Sequence, residues 1–117
     1  MQLRMNTRTR DGVLIIDCIG RIVFGEESAA LRDKAKGALA QNSKVILNLS
    51  EVSYIDSGGL GTLVSLYTTA RGAGGALKLA SLTQRVGDLL QVTKLVSVFE
   101  VYPDDQSAVH SFQKEAA

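Results

Sequence analysis

Short apolar runs rich in β-branched residues alternate along this chain with segments in which apolar residues recur at helical spacing. Residues 13–19, Val-Leu-Ile-Ile-Asp-Cys-Ile, are apolar at nearly every position, which is typical of a strand covered on both faces. By contrast, Leu60, Leu63, Val64 and Tyr67 follow the spacing of one face of a helix. Strands that alternate with helices indicate an α/β fold, with right-handed crossovers wherever neighbouring strands run parallel.

The pattern predicts about five strands and about four helices. The first strand is more polar than the others and is joined to the second by Asp11-Gly12, a sequence typical of a tight antiparallel turn. The second strand is expected to end at Gly20, and residues 50–55 are expected to form a loop that leads to Asp56. The second helix is expected to stop at Gly74-Gly75. The predicted strands are 3–9, 13–19, 44–49, 76–80 and 98–101, and the predicted helices carry the apolar residues of segments 31–39, 60–70, 86–90 and 108–112.

Size and charge limit the classes of protein to which the chain can belong. With 117 residues and 12.5 kDa, residues 1–117 are expected to form a single domain. Apolar residues make up 45% and charged residues 21%, which excludes disordered and fibrous proteins. The net charge of +1 produces no strong positive field that would attract the phosphate backbone of a nucleic acid. Direct nucleic-acid binding is therefore not expected. The aromatic residues are not interleaved with basic ones and are expected in the core and at its rim: Phe24, Tyr54, Tyr67, Phe99, Tyr102 and Phe112.

Cysteine content and apolar run lengths bear on the compartment. Cys18 is the only cysteine, which excludes an intramolecular disulfide and a zinc site built from paired cysteines. We expect Cys18 to be a small buried hydrophobe in a cytoplasmic protein. No run of eighteen apolar residues occurs, and the first ten residues lack the apolar segment of an export signal. Neither membrane insertion nor export is predicted.

The segment from Asp56 to Gly61, at the start of the second helix, is the one that structure alone explains least well. Asp56 is suited to cap the helix, because its carboxylate can accept bonds from the first backbone N–H groups. Gly58, Gly59 and Gly61 are harder to explain, since each glycine in a helix costs about 0.5–1 kcal/mol relative to alanine. They indicate either close packing on a neighbouring strand or a bare surface that another backbone or a phosphate can approach.

Ser57 directly follows the predicted cap. Its hydroxyl is expected at the rim of the helix, beside backbone N–H groups that have no intrahelical acceptor. A phosphate there adds a charge of about −1.5 to −2 where the helix dipole favours negative charge, so modification need not unfold the protein. The alternative is that Ser57 is an ordinary surface or capping residue.

Three kinds of catalytic or nucleotide chemistry receive little support from the same segment. A serine nucleophile needs a histidine base, and the only histidine, His110, is expected to be exposed on the last helix. Gly59-Leu60-Gly61 begins like a dinucleotide fingerprint, but Val64 occupies the position of the third glycine. A phosphate-accepting role for Asp56 would require a Mg²⁺-binding acidic pair, which the first long strand lacks. No catalytic residue, metal site or cofactor is predicted.

The chain resembles the anti-sigma factor antagonists, single-domain members of the STAS superfamily. The resemblance is most specific over residues 45–61, which look like the family's signature of a strand, an Asp-Ser pair and a Gly-Leu-Gly. Gly20-Arg21-Ile22, Gly74-Gly75 and residues 92–95 are supporting marks. The resemblance implies an α/β STAS fold, a mixed and mostly parallel sheet of about five strands with about four helices packed mainly on one face.

The resemblance also implies a non-enzymatic partner switch. In this family the antagonist binds an anti-sigma factor, which is also a serine kinase of the GHKL type, and thereby frees a sigma factor. Phosphorylation of the serine after the aspartate, Ser57 here, breaks the complex, and a PP2C-like phosphatase reverses it. The implied partner-binding residues are Asp56, Ser57, Gly58, Gly59, Leu60, Gly61 and Arg21.

The sequence departs from the family's usual pattern at Gly58. The family usually has a second Ser or Thr at this position, so the departure bears on how well a kinase recognises the site. The alternative function is that of an unphosphorylated STAS scaffold, or of a subunit in a transport or signalling complex.

Overall fold

A computed structural model describes residues 3–116 of the chain. Within this range, five strands form one sheet in the order β1-β2-β3-β4-β5. β1 pairs with β2 antiparallel, and the remaining neighbours are parallel, so the sheet is mixed and mostly parallel as expected. The elements are β1 (Arg4–Arg10), β2 (Val13–Ile22), α1 (Glu26–Gln41), β3 (Lys44–Ile55), α2 (Ser57–Gly72), β4 (Ala76–Ala80), α3 (Gln84–Val92), β5 (Val101–Tyr102) and α4 (Asp105–Ala116).

The predicted hairpin turn between β1 and β2 is confirmed. Asp11 has a φ of 52° and Gly12 a φ of 79°. Both residues therefore adopt the left-handed conformation of a two-residue turn whose twist matches that of the flanking strands. Arg10 and Val13 pair directly on either side of it.

The sheet carries helices on both faces. α1, α2 and α3 cover one face and enclose the larger core, in which Leu31, Leu63 and Val86 are among the buried residues. On the other face, α4 alone packs Val109 and Phe112 against the sheet. The prediction of helices mainly on one face is confirmed, and Cys18 is buried in the larger core as expected.

Two predicted boundaries on the central strands are wrong. β2 continues past Gly20 to Ile22, and residues 50–55 are not a loop but the second half of β3. The pairing shifts register twice in this stretch, between Asp17 and Ile19 and between Gly20 and Arg21. These irregularities break the two-residue alternation of buried and exposed side chains, and β3 here extends beyond its pairing with β4. For this reason the sequence of residues 50–55 resembles that of a polar loop.

Boundaries near the second helix and the fifth strand also differ from prediction. The second helix stops at Gly72, two residues before the expected glycine pair. The predicted fifth strand, 98–101, is instead Val101–Tyr102, and only Val101 is common to both. A 3-10 turn at Leu95–Ser97 precedes this segment, and Phe99 packs into the core. Of residues 95–99 only Phe99 is buried and Val98 is exposed, so the apolar run does not form a covered strand.

A network of charged side chains joins α4 to the sheet. The Arg8 guanidinium donates to both carboxylate oxygens of Asp17, at 2.8 and 2.9 Å, and also pairs with Asp105 at the start of α4. Asn48 on β3 donates to the same Asp105 carboxylate at 2.7 Å. These partners, Asp17 foremost, raise the pKa of Arg8, and the network fastens α4 across three strands.

Lys78 on β4 is completely buried, which its place in the apolar run Ala-Leu-Lys-Leu-Ala does not reveal. Its ammonium group donates to the Ser111 hydroxyl at 2.9 Å and lies 3.4 Å from a carboxylate oxygen of Glu100. It also sits 4.1 Å from the centre of the Phe112 ring. The charge therefore has partners from the segment that leads into β5 and from α4.

The two edges of the sheet differ in length and in side chains. β1 forms one edge with seven residues, of which Arg4, Arg8 and Arg10 are exposed. β5 forms the other edge with only two residues, directly before Pro103. Neither edge presents a long apolar strand.

Candidate functional site

Asp56 lies between the end of β3 and the first turn of α2. Its backbone is extended, with a φ of −97° and a ψ of −177°, and its carboxylate accepts a hydrogen bond of 2.8 Å from the N–H of Gly59. This is the geometry of a helix N-cap. The predicted capping role of Asp56 is confirmed.

The Asp56 carboxylate also holds the loop between β2 and α1. Both of its oxygens lie 3.1 Å from the N–H of Phe24, which donates to them. The backbone N–H of Asp56 in turn donates to the Ile22 carbonyl at 3.3 Å. The bonds from Gly59 and then Phe24 lower the pKa of Asp56, because they stabilise the ionised carboxylate. Sequence spacing does not reveal this contact, since Phe24 and Asp56 lie 32 residues apart.

The three glycines at the start of α2 serve two different purposes. A Cβ added at Gly59 would lie 2.0 Å from the Ile22 carbonyl oxygen, and one at Gly58 would lie 2.7 Å from the Phe24 Cβ. A Cβ at Gly61 would meet nothing within 4 Å. Both alternatives left open by the sequence therefore apply: Gly58 and Gly59 permit close packing, and Gly61 leaves a bare surface.

Ser57 is the first residue of α2 and is exposed. Its hydroxyl makes no hydrogen bond to any residue that the structure describes. The nearby Leu60 is only 7% exposed and packs into the larger core, so it contributes to this surface mainly through its backbone. The start of α2 thus presents a free hydroxyl beside a capped helix end.

Arg21, the remaining predicted partner-binding residue, does not lie beside the others. It pairs in register with Tyr54, and its neighbour Ile22 points into the core beneath α1 and α2. Because successive side chains on a strand point to opposite faces, Arg21 lies on the other face of the sheet. Its Nε is buried and has no hydrogen-bond partner among the described residues.

Phe24 was expected in the core or at its rim, but it is 82% exposed beside the start of α2. It borders a groove of about 400 Å³ between α1 and α2. Its place between the end of a strand and Gly25 is the one sequence signal that could have suggested an exposed loop position. The groove is lined by Phe24, Gly25, Ser28, Arg32, Gly58, Gly61 and Thr62.

The structure assembles no alternative catalytic or metal centre around Ser57. His110 is exposed on α4, which covers the opposite face of the sheet from α2, so the serine and the histidine are not brought together. Within residues 3–116, no group of three or more His, Cys, Asp or Glu side chains is placed to hold a metal ion. Over the same residues, none of the helices has the length and apolar character needed to cross a membrane.

Comparisons with known proteins show the family and the fold of the chain. The family model described as the STAS domain matches residues 4–108. The anti-sigma-B factor antagonist of Bacillus subtilis (strain 168) is 26% identical over 110 residues, which cover 93% of this chain and 99% of that protein.

Two solved structures share the fold. The Bacillus cell fate determinant SpoIIAA in the phosphorylated form matches with a TM-score of 0.68 and 18% identity, covering 94% of this chain and 98% of that chain. The murine anion transporter Slc26a9 matches with a TM-score of 0.74 and 24% identity, covering 92% of this chain but only 18% of that one. Because the family model spans most of the residues, the chain belongs to the STAS domain family.

Proposed function

We propose that this protein is an anti-sigma factor antagonist that binds an anti-sigma factor through the start of α2. The observation that carries the proposal is the exposed, unbonded hydroxyl of Ser57 beside the Asp56 cap. The Bacillus subtilis relative, matched over nearly the whole of both chains, is named for this role. Residues 1–117 act as one domain in this proposal, without catalytic activity of their own and in the cytoplasm.

The partner is an anti-sigma factor that is also a GHKL-type serine kinase, and Ser57 is the residue it phosphorylates. The contact surface comprises Asp56, Ser57, Gly58, Gly59 and Gly61, with the backbone of Leu60. Arg21 belongs to the contact only if the partner also reaches the opposite face of the sheet. A PP2C-like phosphatase restores the binding form.

Phosphorylation at Ser57 would act without refolding the protein. The new dianion would sit at the positive end of the α2 dipole, where the fold tolerates it. In the proposed complex, the same dianion would lie next to the Asp56 carboxylate and would have to give up its water on contact with the partner. Weakening a complex by a factor of 100 to 1,000 takes roughly 3–4 kcal/mol, which an unpaired buried phosphate can supply.

The structure supplies a physical reason for the departure at Gly58. A side chain there would collide with Phe24, whose Cβ lies 2.7 Å from the position of an added Cβ. The usual second hydroxyl residue is thus replaced by a contact between the helix start and the β2–α1 loop. In this proposal Ser57 is the sole phosphate acceptor of the segment.

A second candidate function is that of an unmodified STAS module in a transport or signalling complex. The same fold makes up a small part of the Slc26a9 anion transporter. Gly58 also favours this candidate if a kinase requires the second hydroxyl residue. The two candidates differ in the chemical state of Ser57 in the cell.

The experiment that tests the proposal compares Ser57→Ala, Ser57→Asp and the wild type in affinity capture from the native cells. We expect Ser57→Ala to retain an anti-sigma factor, identified by mass spectrometry, and Ser57→Asp to lose it. Ser65→Asp, which adds the same charge at another exposed position of α2, is the matched control and should retain the partner.

Intact-mass measurement of the native protein, with and without phosphatase, provides the second test. A phosphate that maps to Ser57 and varies with growth conditions supports the switch. If Ser57 carries no phosphate under any condition and both Ser57 variants capture the same proteins, the proposal is wrong and the scaffold function replaces it.

A further inference from the structure

Arg32 on α1 is a cation in a groove that provides it with no counter-ion. The side chain is half-buried, and its guanidinium donates to the Thr62 hydroxyl oxygen at 3.3 Å. No carboxylate of the described residues lies within 4 Å of the guanidinium. A guanidinium has five N–H donors, so most of its hydrogen-bonding capacity is unused by the protein itself.

The hydroxyl that contacts Arg32 is itself fixed in position. Thr62 is buried and donates its own hydrogen to the Gly58 carbonyl at 3.1 Å. This bond ties the Arg32 contact to the first turn of α2, one residue after Ser57. The guanidinium is therefore held beside the proposed partner-binding surface rather than free in solvent.

The groove has the shape and the side chains of a binding site for one protruding side chain. Its volume is about 400 Å³, and Gly61 leaves its α2 wall without a side chain. Phe24, which is 82% exposed, and Arg32 both line it. Aromatic residues and arginine are the types that most often dominate the binding energy of protein interfaces.

Charge decides what kind of side chain fits. Acidic residues adjoin the groove residues in the sequence but do not line the groove: Glu26 and Glu27 line a separate pocket with Leu3 and Ala30, and Asp33 is exposed. The Asp56 carboxylate already accepts bonds from two backbone N–H groups. Arg32 is the one charged residue that lines the described groove, so the groove presents a net positive charge. A planar guanidinium binds a carboxylate through two parallel hydrogen bonds, which makes an acidic partner residue the best match.

We propose that the groove between α1 and α2 receives an acidic side chain of the anti-sigma factor, whose carboxylate pairs with Arg32 while its flanking apolar surface packs on Phe24. The inference rests on the proposed function and deepens it, because it assigns the chemistry of the partner. Arg32 thereby determines which partner binds, and it takes no part in the phosphorylation of Ser57.

The test measures binding of the purified anti-sigma factor, identified by capture with Ser57→Ala, by isothermal titration calorimetry. We expect Arg32→Ala and Arg32→Gln to weaken binding by at least about tenfold, since each leaves the partner's carboxylate unpaired. Lys36→Ala removes an exposed cation one turn further along the same helix and should change the affinity by less than about twofold. Arg32→Glu, combined with a change of the partner's acidic residue to lysine, should restore binding.

The outcomes separate this inference from the proposed function. If Ser57→Asp abolishes binding and Arg32→Ala does not weaken it, the inference is overturned while the proposed function stands. If the Arg32 variants change affinity only for the Ser57-phosphorylated protein, the guanidinium pairs with the phosphate, which also overturns the inference. If no anti-sigma factor binds even Ser57→Ala, both fail. Thermal unfolding of each variant checks that the fold is intact. If a variant unfolds, Arg32→Lys is measured in its place, and we expect it to bind the partner more weakly than the wild type.

Discussion

At the scale of single residues, the start of α2 shows that neighbouring glycines can have opposite roles. Gly59 lies against the backbone of β2, where a Cβ would approach the Ile22 carbonyl oxygen to 2.0 Å. Gly61 faces open space two residues later. Their types are identical in the sequence, and only the packing distinguishes them.

The pair Gly59→Ala and Gly61→Ala tests this distinction. Gly59→Ala should destabilise the fold by about 1–3 kcal/mol, because the carbonyl of β2 cannot move aside without disturbing the strand. Gly61→Ala should stabilise it by about 0.5–1 kcal/mol, since alanine is the better helix former and meets nothing. Urea unfolding followed by circular dichroism measures both. Equal effects of the two substitutions would contradict the close packing at Gly59.

At the scale of elements, Asp56 couples the β2–α1 loop to α2. Its carboxylate accepts hydrogen bonds from backbone N–H groups of both, so it links the two elements directly. The bond from its N–H holds the exposed Phe24 against Gly58, the residue after Ser57. The coupling explains how two segments far apart in the chain form one surface.

The contribution of Asp56 to stability should depend on pH. Its pKa in the folded protein lies below the ordinary value of 3.8, so the ionised carboxylate is stabilised on folding. We expect this stabilisation to be complete at neutral pH and to be lost as the pH falls through the lowered folded pKa. The measurement is the difference in unfolding free energy between the wild type and Asp56→Asn from pH 7 down to pH 2.

The control for this series is Asp33→Asn, which removes an exposed carboxylate from the middle of α1. Its effect should be small at pH 7. If the difference between wild type and Asp56→Asn stays constant from pH 7 to pH 2, the carboxylate charge contributes nothing and the cap acts only through its geometry.

How far the sequence predicted the structure also depends on the element. The β1–β2 hairpin and the Asp56 cap were predicted correctly, because an Asp-Gly turn and an N-cap depend on local backbone geometry. The second half of β3 was missed, because its irregular register hides the alternation of side chains. The Phe24 contact was missed for a different reason: it depends on tertiary packing of distant segments.

At the scale of the whole molecule, Lys78 ties the smaller core together. The buried ammonium group contacts Glu100, Ser111 and the ring of Phe112, which come from the fifth-strand region and from α4. A charge at this position is expensive to bury, and its partners offset that cost. The packing of α4 on the sheet thus includes a buried charged side chain within an otherwise apolar core.

Substitution of Lys78 separates volume from charge. Lys78→Ala should lower stability by about 2–4 kcal/mol, because it leaves a cavity between β4 and α4. Lys78→Met preserves most of the volume and should stay within about 1 kcal/mol of the wild type, since apolar residues often replace buried ion pairs at little cost. Thermal unfolding compares the two. A loss for Lys78→Met as large as for Lys78→Ala would show that the charge itself is needed.

The arginine-lined edge of β1 and the two-residue edge of β5 affect whether copies of this protein associate at high concentration. Two β1 edges that meet would bring arginines from both copies together, and β5 is too short to recruit another strand. Under the proposed function, the protein captures its target one to one and must therefore reach the abundance of that target without polymerising. Because neither of the described edges, β1 or β5, suits strand addition by a second copy, we expect binding capacity to rise in proportion to expression.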